Sequence, residues 1–122
     1  MNIDRMILVY IAGPYRAQSE WGLVQNIRRA EDAALSLWRA GFAVICPHKN
    51  TAHFGGACPD SVWLKGDIEM LRRCDILYAC EASEYSEGAR AEIEFARNNN
   101  IAVCFSIHEC RQAAVAVRLA GQ

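Results

Sequence analysis

Residues 6–12, MILVYIA, form a short run that is apolar at both odd and even positions. Three further runs share this pattern and are rich in residues that favour strands: FAVIC (42–46), DILYAC (75–80) and IAVCF (101–105). Strands that are apolar on both faces are typical of a parallel sheet that is covered by helices on two sides. The four runs therefore predict four buried, parallel strands.

Amphipathic stretches separate these strands at roughly 21–40, 60–73 and 87–98, and a fourth covers about 109–119. Gly41 follows the first stretch where a helix C-cap is expected, and Ser86 precedes the third where an N-cap is expected. Strict alternation of strand and helix predicts an open three-layer α/β architecture with right-handed crossovers. We expect residues 1–122 to form one such domain, with a mainly parallel sheet of four to five strands.

The composition excludes several classes of protein. A chain of 122 residues with 52% hydrophobic and 22% charged residues can bury one substantial core. It has no apolar stretch near the roughly 18 residues that a membrane span requires. The formal net charge of −1 provides no general attraction to a nucleic-acid polymer. The composition thus favours a globular protein that acts neither on membranes nor on nucleic-acid polymers.

Six cysteines raise the question of disulfide bonds. The opening residues, MNIDRMILVYIAG, lack the order of basic, apolar and small residues that a signal peptide has, so we expect a cytoplasmic protein with reduced thiols. Free cysteines in apolar runs behave as small hydrophobic residues. We expect this of Cys46, Cys74, Cys80 and Cys104.

Neither a metal nor an organic cofactor is expected. Cys46, His48, His53 and Cys58 include the usual zinc ligands but form no CxxC or HxxxH pair, so we interpret the two histidines as polar residues of a loop. The loop after the first strand has no GxGxxG pattern and no P-loop lysine. A dinucleotide or ATP site is therefore disfavoured.

Two acidic residues interrupt apolar helix faces. Glu92 falls on the apolar arc of the helix at 87–98, and Asp67 lies near the centre of the apolar stripe at 60–73. Burial raises a carboxyl pKa and makes an unpaired charge costly, so such acids either have special partners or line a cleft. A cleft with two carboxylates suggests catalysis. The alternatives are that Glu92 complements the helix N-terminus and that Asp67 is a buried acid with a structural partner.

Ligands of parallel α/β sheets bind beyond the carboxyl ends of the strands, where the strand order reverses. Glu92 lies about one turn into a helix that begins there, and Asp67 reaches the same crevice if its helix packs beside it. In the nearby loops, Arg16 either binds a phosphate or carboxylate or is a solvated arginine, and Tyr15 either stacks on a nucleobase or packs in the core. Ser86 is better explained as a cap than as a nucleophile, because no histidine is placed beside it.

Three motifs resemble a known family when they are taken in this order and spacing: YIAGPYR (10–16), GDIEMLRRCDIL (66–77) and SEGARAE (86–92). They are similar to the nucleoside 2-deoxyribosyltransferase superfamily, including its 2'-deoxynucleoside 5'-phosphate N-hydrolase branch. The resemblance implies a flavodoxin-like, Rossmann-like domain, homodimeric or higher, that cleaves the N-glycosidic bond of a nucleoside or nucleotide.

The resemblance also implies roles for individual residues. Glu92 would be the nucleophile that forms a glycosyl-enzyme intermediate, and Asp67 would transfer a proton to or from the base, as in retaining glycosidases. Glu92 is then expected to be ionised and Asp67 protonated. The residues expected to bind substrate are Tyr10, Gly13, Tyr15, Arg16, Ser86 and Gly88.

Three questions stay open at this level. Water as acceptor would give hydrolysis, and a second base would give transfer. Pro14 and Tyr15 depart from the loop of the phosphate-using branch, so recognition of a 5'-phosphate is undecided. The alternative to an enzyme is a catalytically silent module that senses a nucleotide-like ligand on the same scaffold, and a third possibility is an interaction protein without a small-molecule site.

Overall fold

Four parallel strands form the sheet in the computed structural model, which describes residues 5–121. The strands are β1 (Leu8–Ala12), β2 (Ala43–Ile45), β3 (Ile76–Ala79) and β4 (Ala102–Cys104), in the order β2-β1-β3-β4. The helices are α1 (Glu20–Arg39), α2 (Pro47–Asn50), α3 (Asp60–Arg72), α4 (Glu87–Asn98) and α5 (Ile107–Ala120), and Ser83–Tyr85 form one 3-10 turn.

The predicted α/β architecture is confirmed. Each apolar run contains one strand, and each of the four amphipathic stretches coincides with a long helix to within a few residues. The sequence pattern missed α2 and the 3-10 turn, because elements of one turn are too short to show a periodicity. Within residues 5–121 no helix is both long and apolar enough to cross a lipid bilayer.

β1 is an inner strand whose side chains alternate between two separate cores. Val9 and Ile11 are fully buried in a core that also includes residues of α1 and α5. Tyr10 and Ala12 are fully buried in the other core, with residues of α3 and α4. The apolar sides of amphipathic helices cover both faces of the sheet, which explains why β1 is apolar at odd and even positions alike.

The predicted helix ends are placed by local chemistry. The hydroxyl of Ser86 accepts a hydrogen bond of 3.2 Å from the backbone N–H of Ala89, so this serine is the N-cap of α4. Ala40 is the C-cap of α1, and Gly41 follows it with a φ of +98°, a left-handed conformation that glycine adopts without strain.

The sheet order places the strand reversal between β1 and β3. The chain runs from β1 outward to β2 and then crosses back to pair β3 with the other side of β1. The loops after both strands therefore leave the same edge of the sheet at the reversal point, where ligands of such folds bind.

Candidate active site

Glu92 and Asp67 lie on the same face of the sheet and interact with a single tyrosine. Both carboxyl side chains are partly buried, Glu92 in α4 and Asp67 in α3. The hydroxyl of the fully buried Tyr10 donates a hydrogen bond to Oε2 of Glu92. The charge of Asp67 raises the pKa of both Glu92 and Tyr10. These three residues thus form one electrostatic unit, called here the acid cluster.

Burial dominates the protonation of the acid cluster. It raises the pKa of Glu92 to about 7, assisted by the charge of Asp67 and opposed by the hydrogen bond from Tyr10. It raises the pKa of Asp67 to about 6. Glu92 is the more deeply buried acid, and one hydroxyl does not offset its desolvation. Both acids therefore bind a proton more tightly than exposed carboxyl groups do.

Helical periodicity explains how the acids come to face inward. In α4, Ala89, Ile93 and Ala96 are buried around Glu92, whereas Arg90 and Glu94 are exposed. In α3, Leu71 is buried while Lys65, Glu69 and Arg72 are exposed. The predicted apolar stripe of α3 is buried only in the C-terminal half of the helix, because Leu64 in the N-terminal half is 56% exposed. Asp67 lies between these two halves and so keeps partial access to solvent.

The glycine after β1 is held in close contact with β3. A Cβ atom built on the buried Gly13 would lie 2.9 Å from Cβ of Cys80, closer than side-chain atoms pack. The structure therefore gives Gly13 a clear packing role, namely to let the ends of β1 and β3 approach each other. Ligand binding by its backbone stays a prediction.

The other residues of the β1 loop contact helices α3 and α1. Arg16 forms a salt bridge with Asp60, the first residue of α3, and both side chains are largely exposed. Tyr15 is partly buried, and its carbonyl accepts a hydrogen bond of 3.0 Å from the Asn26 side chain. The loop is thus joined to α3 at one point and to α1 at another.

His48 is a buried support for this loop, so its interpretation as a polar loop residue was wrong. It is only 6% exposed, and its Nε2 lies 3.1 Å from the carbonyl oxygen of Gly13 and 3.0 Å from that of Pro14. Two acceptors require Nε2 to carry the proton. Burial lowers the pKa of His48, and its ring packs edge-on against Tyr15 with centroids 5.8 Å apart. The sequence contains one indication of this supporting role: His48 follows β2, which is the neighbour of β1 in the sheet.

At the start of α4, Ser86 and Gly88 differ in what they contact. The Ser86 hydroxyl caps the helix. Gly88 is exposed, and no described heavy atom beyond its own helix turn lies within 4 Å of where its Cβ would be. The first turn of α4 therefore has open space beside Gly88, one turn before Glu92.

Two cavities lie at the carboxyl ends of β1 and β3, on the sheet face opposite the acid cluster. The small one, of about 10 Å³, adjoins Gly13, Pro14 and His48. The larger is an open groove of about 310 Å³ between α1 and α5. Its lining residues are Arg29, Asp32, Ala33, Ser36, Tyr78, Cys80, Glu81 and Ile107. Of the predicted site residues, the small cavity includes Gly13 and the groove includes none.

The cysteines and histidines are dispersed. Within residues 5–121, no three side chains of His, Cys, Asp or Glu are grouped so as to hold a metal ion. The described cysteines are free thiols; Cys74, Cys80 and Cys104 are buried as expected, whereas Cys46 is only partly buried.

Comparisons with known proteins agree with the fold. The model of a family described as Domain of unknown function (DUF7768) matches residues 7–106. No curated protein matches the sequence. A solved structure of a 2-deoxyribosyltransferase from the psychrotolerant bacterium Bacillus psychrosaccharolyticus, a biocatalyst for the synthesis of antiviral and antitumoral nucleosides, is similar with a TM-score of 0.62 and 20% identity. The similarity covers 79% of this chain and 69% of that chain. At this identity it shows a shared flavodoxin-like fold.

Proposed function

Because the chain belongs to the DUF7768 family, whose description assigns no chemistry, we propose its function from the acid cluster: cleavage of the N-glycosidic bond of a (deoxy)nucleoside or nucleotide. The fold likeness to a 2-deoxyribosyltransferase supports this substrate class. The three sequence motifs support the wider superfamily of nucleoside 2-deoxyribosyltransferases, and residues 1–122 would act as one domain of it.

The observation that carries the proposal is the partnership of Tyr10, Glu92 and Asp67. Glu92 accepts a hydrogen bond from the fully buried Tyr10 and is influenced by the charge of Asp67. Within residues 5–121 it forms no salt bridge that would give it a structural role. The described ion pairs of the chain involve other acids. Paired carboxyl groups with raised pKa values are typical of sites that form and break glycosidic bonds.

The reaction proceeds in two steps. Oε2 of Glu92 is held by Tyr10, so Oε1 attacks the anomeric carbon while the electron pair of the C–N bond passes to the base. Protonated Asp67 donates its proton to the departing base. A glycosyl ester of Glu92 remains, and water or a second base then attacks the same carbon and gives its proton to Asp67. Water yields the free sugar, and a base yields a new nucleoside.

Tyr10 contributes twice to this cycle. Its hydroxyl favours the ionised form of Glu92 before attack, although burial opposes ionisation. When the ester is cleaved, the electron pair of the C–O bond returns to Oε1 and the charge is shared with Oε2, where the Tyr10 hydroxyl stabilises it. Tyr10 thus acts on the nucleophile, and substrate contacts fall to Tyr15, Arg16, Ser86 and Gly88 around the crevice.

A base-release assay tests the proposal. The protein is incubated with a panel of deoxynucleosides and their 5'-monophosphates, and free base is separated by chromatography. We expect release with at least one substrate, a loss of at least about a thousandfold in Glu92→Gln, and a smaller loss in Asp67→Asn. Glu94→Gln changes an exposed acid two positions away on α4 and should retain full activity.

The outcomes separate the candidate functions. Base release that persists in Glu92→Gln would refute the nucleophile. Ligand binding without release from any substrate would favour the sensing module. Addition of a second free base to an active reaction distinguishes transfer, which yields a new nucleoside, from hydrolysis.

A further inference from the structure

α1 exposes a row of large apolar side chains to solvent. Trp21 is 74% exposed, Val24 42%, Leu35 47% and Trp38 51%. The residues that pack against the sheet, Ala30, Ala34 and Leu37, belong to a different face of the same helix. These side chains form one exposed apolar patch toward each end of α1, and exposed apolar patches that the fold does not require mark interaction sites.

Two charged residues complete the row. The positions 21, 24, 28, 31, 35 and 38 follow each other at spacings of three and four, so at about 100° per residue they lie on one narrow face of α1. The row therefore consists of Trp21, Val24, Arg28, Glu31, Leu35 and Trp38 and is called here the α1 stripe. Alternation of three and four is the spacing by which one helix packs along another.

The α1 stripe is complementary to itself when it is reversed. An antiparallel copy centred between residues 29 and 30 places Trp21 opposite Trp38 and Val24 opposite Leu35. The same operation places Arg28 of each copy opposite Glu31 of the other, so the interface contains two contacts between opposite charges. A two-fold axis produces this kind of matching, in which residue i meets j and j meets i.

We propose that the α1 stripe binds a second copy of this chain, with the two α1 helices antiparallel about a two-fold axis. Each end of the interface then holds a tryptophan from each copy, and tryptophans commonly dominate binding energy. The centre holds a network of four charges. Within one chain, Nη1 of Arg28 already lies 3.0 Å from Oε1 of Glu31. Each copy therefore brings one ion pair to the two-fold axis.

The position of the α1 stripe leaves the proposed active site free. Glu31 also forms a salt bridge with Lys49 of α2, so the stripe borders the β2 edge of the sheet. The groove residues Arg29 and Ser36 lie on the other flank of α1. The acid cluster lies on the opposite sheet face, among residues of α3 and α4.

Charge reversal tests the proposal. Sedimentation equilibrium of the full chain should give the mass of two 13.6 kDa chains. Arg28→Glu and Glu31→Arg, each alone, place like charges opposite each other and should give monomers. An equimolar mixture of the two variants should restore the dimer, because every contact across the axis is then between opposite charges. Within each variant chain positions 28 and 31 still carry like charges, so only contacts between chains can account for the restoration.

A control variant and a check of folding separate loss of the interface from loss of structure. Arg29→Glu makes the same charge change as Arg28→Glu, but on the flank of α1 that lines the groove, about 100° around the helix from Arg28, and should leave the dimer intact. Circular dichroism establishes that each variant is folded. A monomeric wild type at about 100 µM, a dimer that survives both single changes, or a mixture that stays monomeric would each overturn the proposal.

Discussion

The hydroxyl of Tyr10, in the middle of β1, donates its hydrogen bond to Oε2 of Glu92, 82 residues further along the chain. The tyrosine is completely buried and cannot move toward solvent without loss of core packing. The carboxyl of Glu92 is therefore positioned by the sheet as well as by its own helix. Four predictions follow from this site and from the loop that adjoins it.

The pH profile of kcat/KM for base release should be bell-shaped, with its maximum between pH 6 and 7. The proposed reaction requires one proton on the acid cluster, and the pKa values of about 6 for Asp67 and about 7 for Glu92 bracket the pH range where one proton is bound. The two limbs belong to the coupled pair rather than to either acid. Initial rates at low substrate from pH 5 to 9 measure the profile, and a plateau that continues to pH 9 would contradict it.

Tyr10→Phe should lower the maximum of kcat/KM about tenfold and move the alkaline limb to higher pH by about one unit. A hydrogen bond to a charged group contributes about 1.5–3 kcal/mol, and 1.36 kcal/mol corresponds to one pKa unit. Without this hydrogen bond the pKa of Glu92 rises, which moves the alkaline limb to higher pH. The reactive form, with Glu92 ionised and the proton on Asp67, then becomes rarer, which lowers the rate. Tyr78→Phe, on the opposite face of the sheet, is the matched control. An unchanged profile in Tyr10→Phe would show that the hydroxyl has no part in the reaction.

Glu92→Gln should stabilise the fold at pH 8 and leave its stability nearly unchanged at pH 4. Glu92 has an ordinary pKa of 4.5 and a folded-state pKa of about 7, so between these values the unfolded chain binds fewer protons and stability falls as pH rises. Glutamine removes this loss and still accepts the Tyr10 hydrogen bond. We expect a gain of about 2–3 kcal/mol at pH 8.

Urea unfolding at both pH values measures this gain. Glu94→Gln, the exposed neighbour, should show no difference between them. A gain for Glu92→Gln that is equal at pH 4 and pH 8 would contradict a titration origin.

Gly13→Ala should destabilise the protein by about 1–3 kcal/mol, because its Cβ would lie 2.9 Å from Cβ of Cys80. Cys80→Gly removes that atom, so the double variant should be more stable than the sum of the two single changes predicts. Cys80→Ala keeps the Cβ atom and should recover little. A double-mutant cycle by urea unfolding tests this, and equal coupling with glycine and alanine at position 80 would contradict the steric explanation.

The sequence predicts most of the fold because each strand is apolar on both faces and each long helix is amphipathic. The same patterns single out Glu92 and Asp67, since a charged residue within an apolar arc contradicts the periodicity around it. These patterns extend over short stretches of sequence, so they can be recognised without knowledge of how distant residues pack.

Other features depend on distant parts of the chain. His48 supports the β1 loop from 35 residues away through main-chain carbonyls, which no side-chain pattern reports. Tyr10 and Glu92 meet only after β1 and α4 pack together. The size of the pKa shifts of Glu92 and Asp67 could not be predicted either, because it depends on how deeply each carboxyl is buried.

The alternation of side chains along β1 has a consequence for how this protein can evolve. Tyr10 faces the acid cluster, whereas Ile11 and Val9 face the core beneath the groove, so the sheet separates the two sets of neighbours. Substitutions in α1 and α5 can then accumulate without affecting Glu92, because distant sites contribute independently. The residues around the groove are therefore free to diversify while the acid cluster stays intact, whereas an insertion within β1 would exchange its two faces and abolish both arrangements.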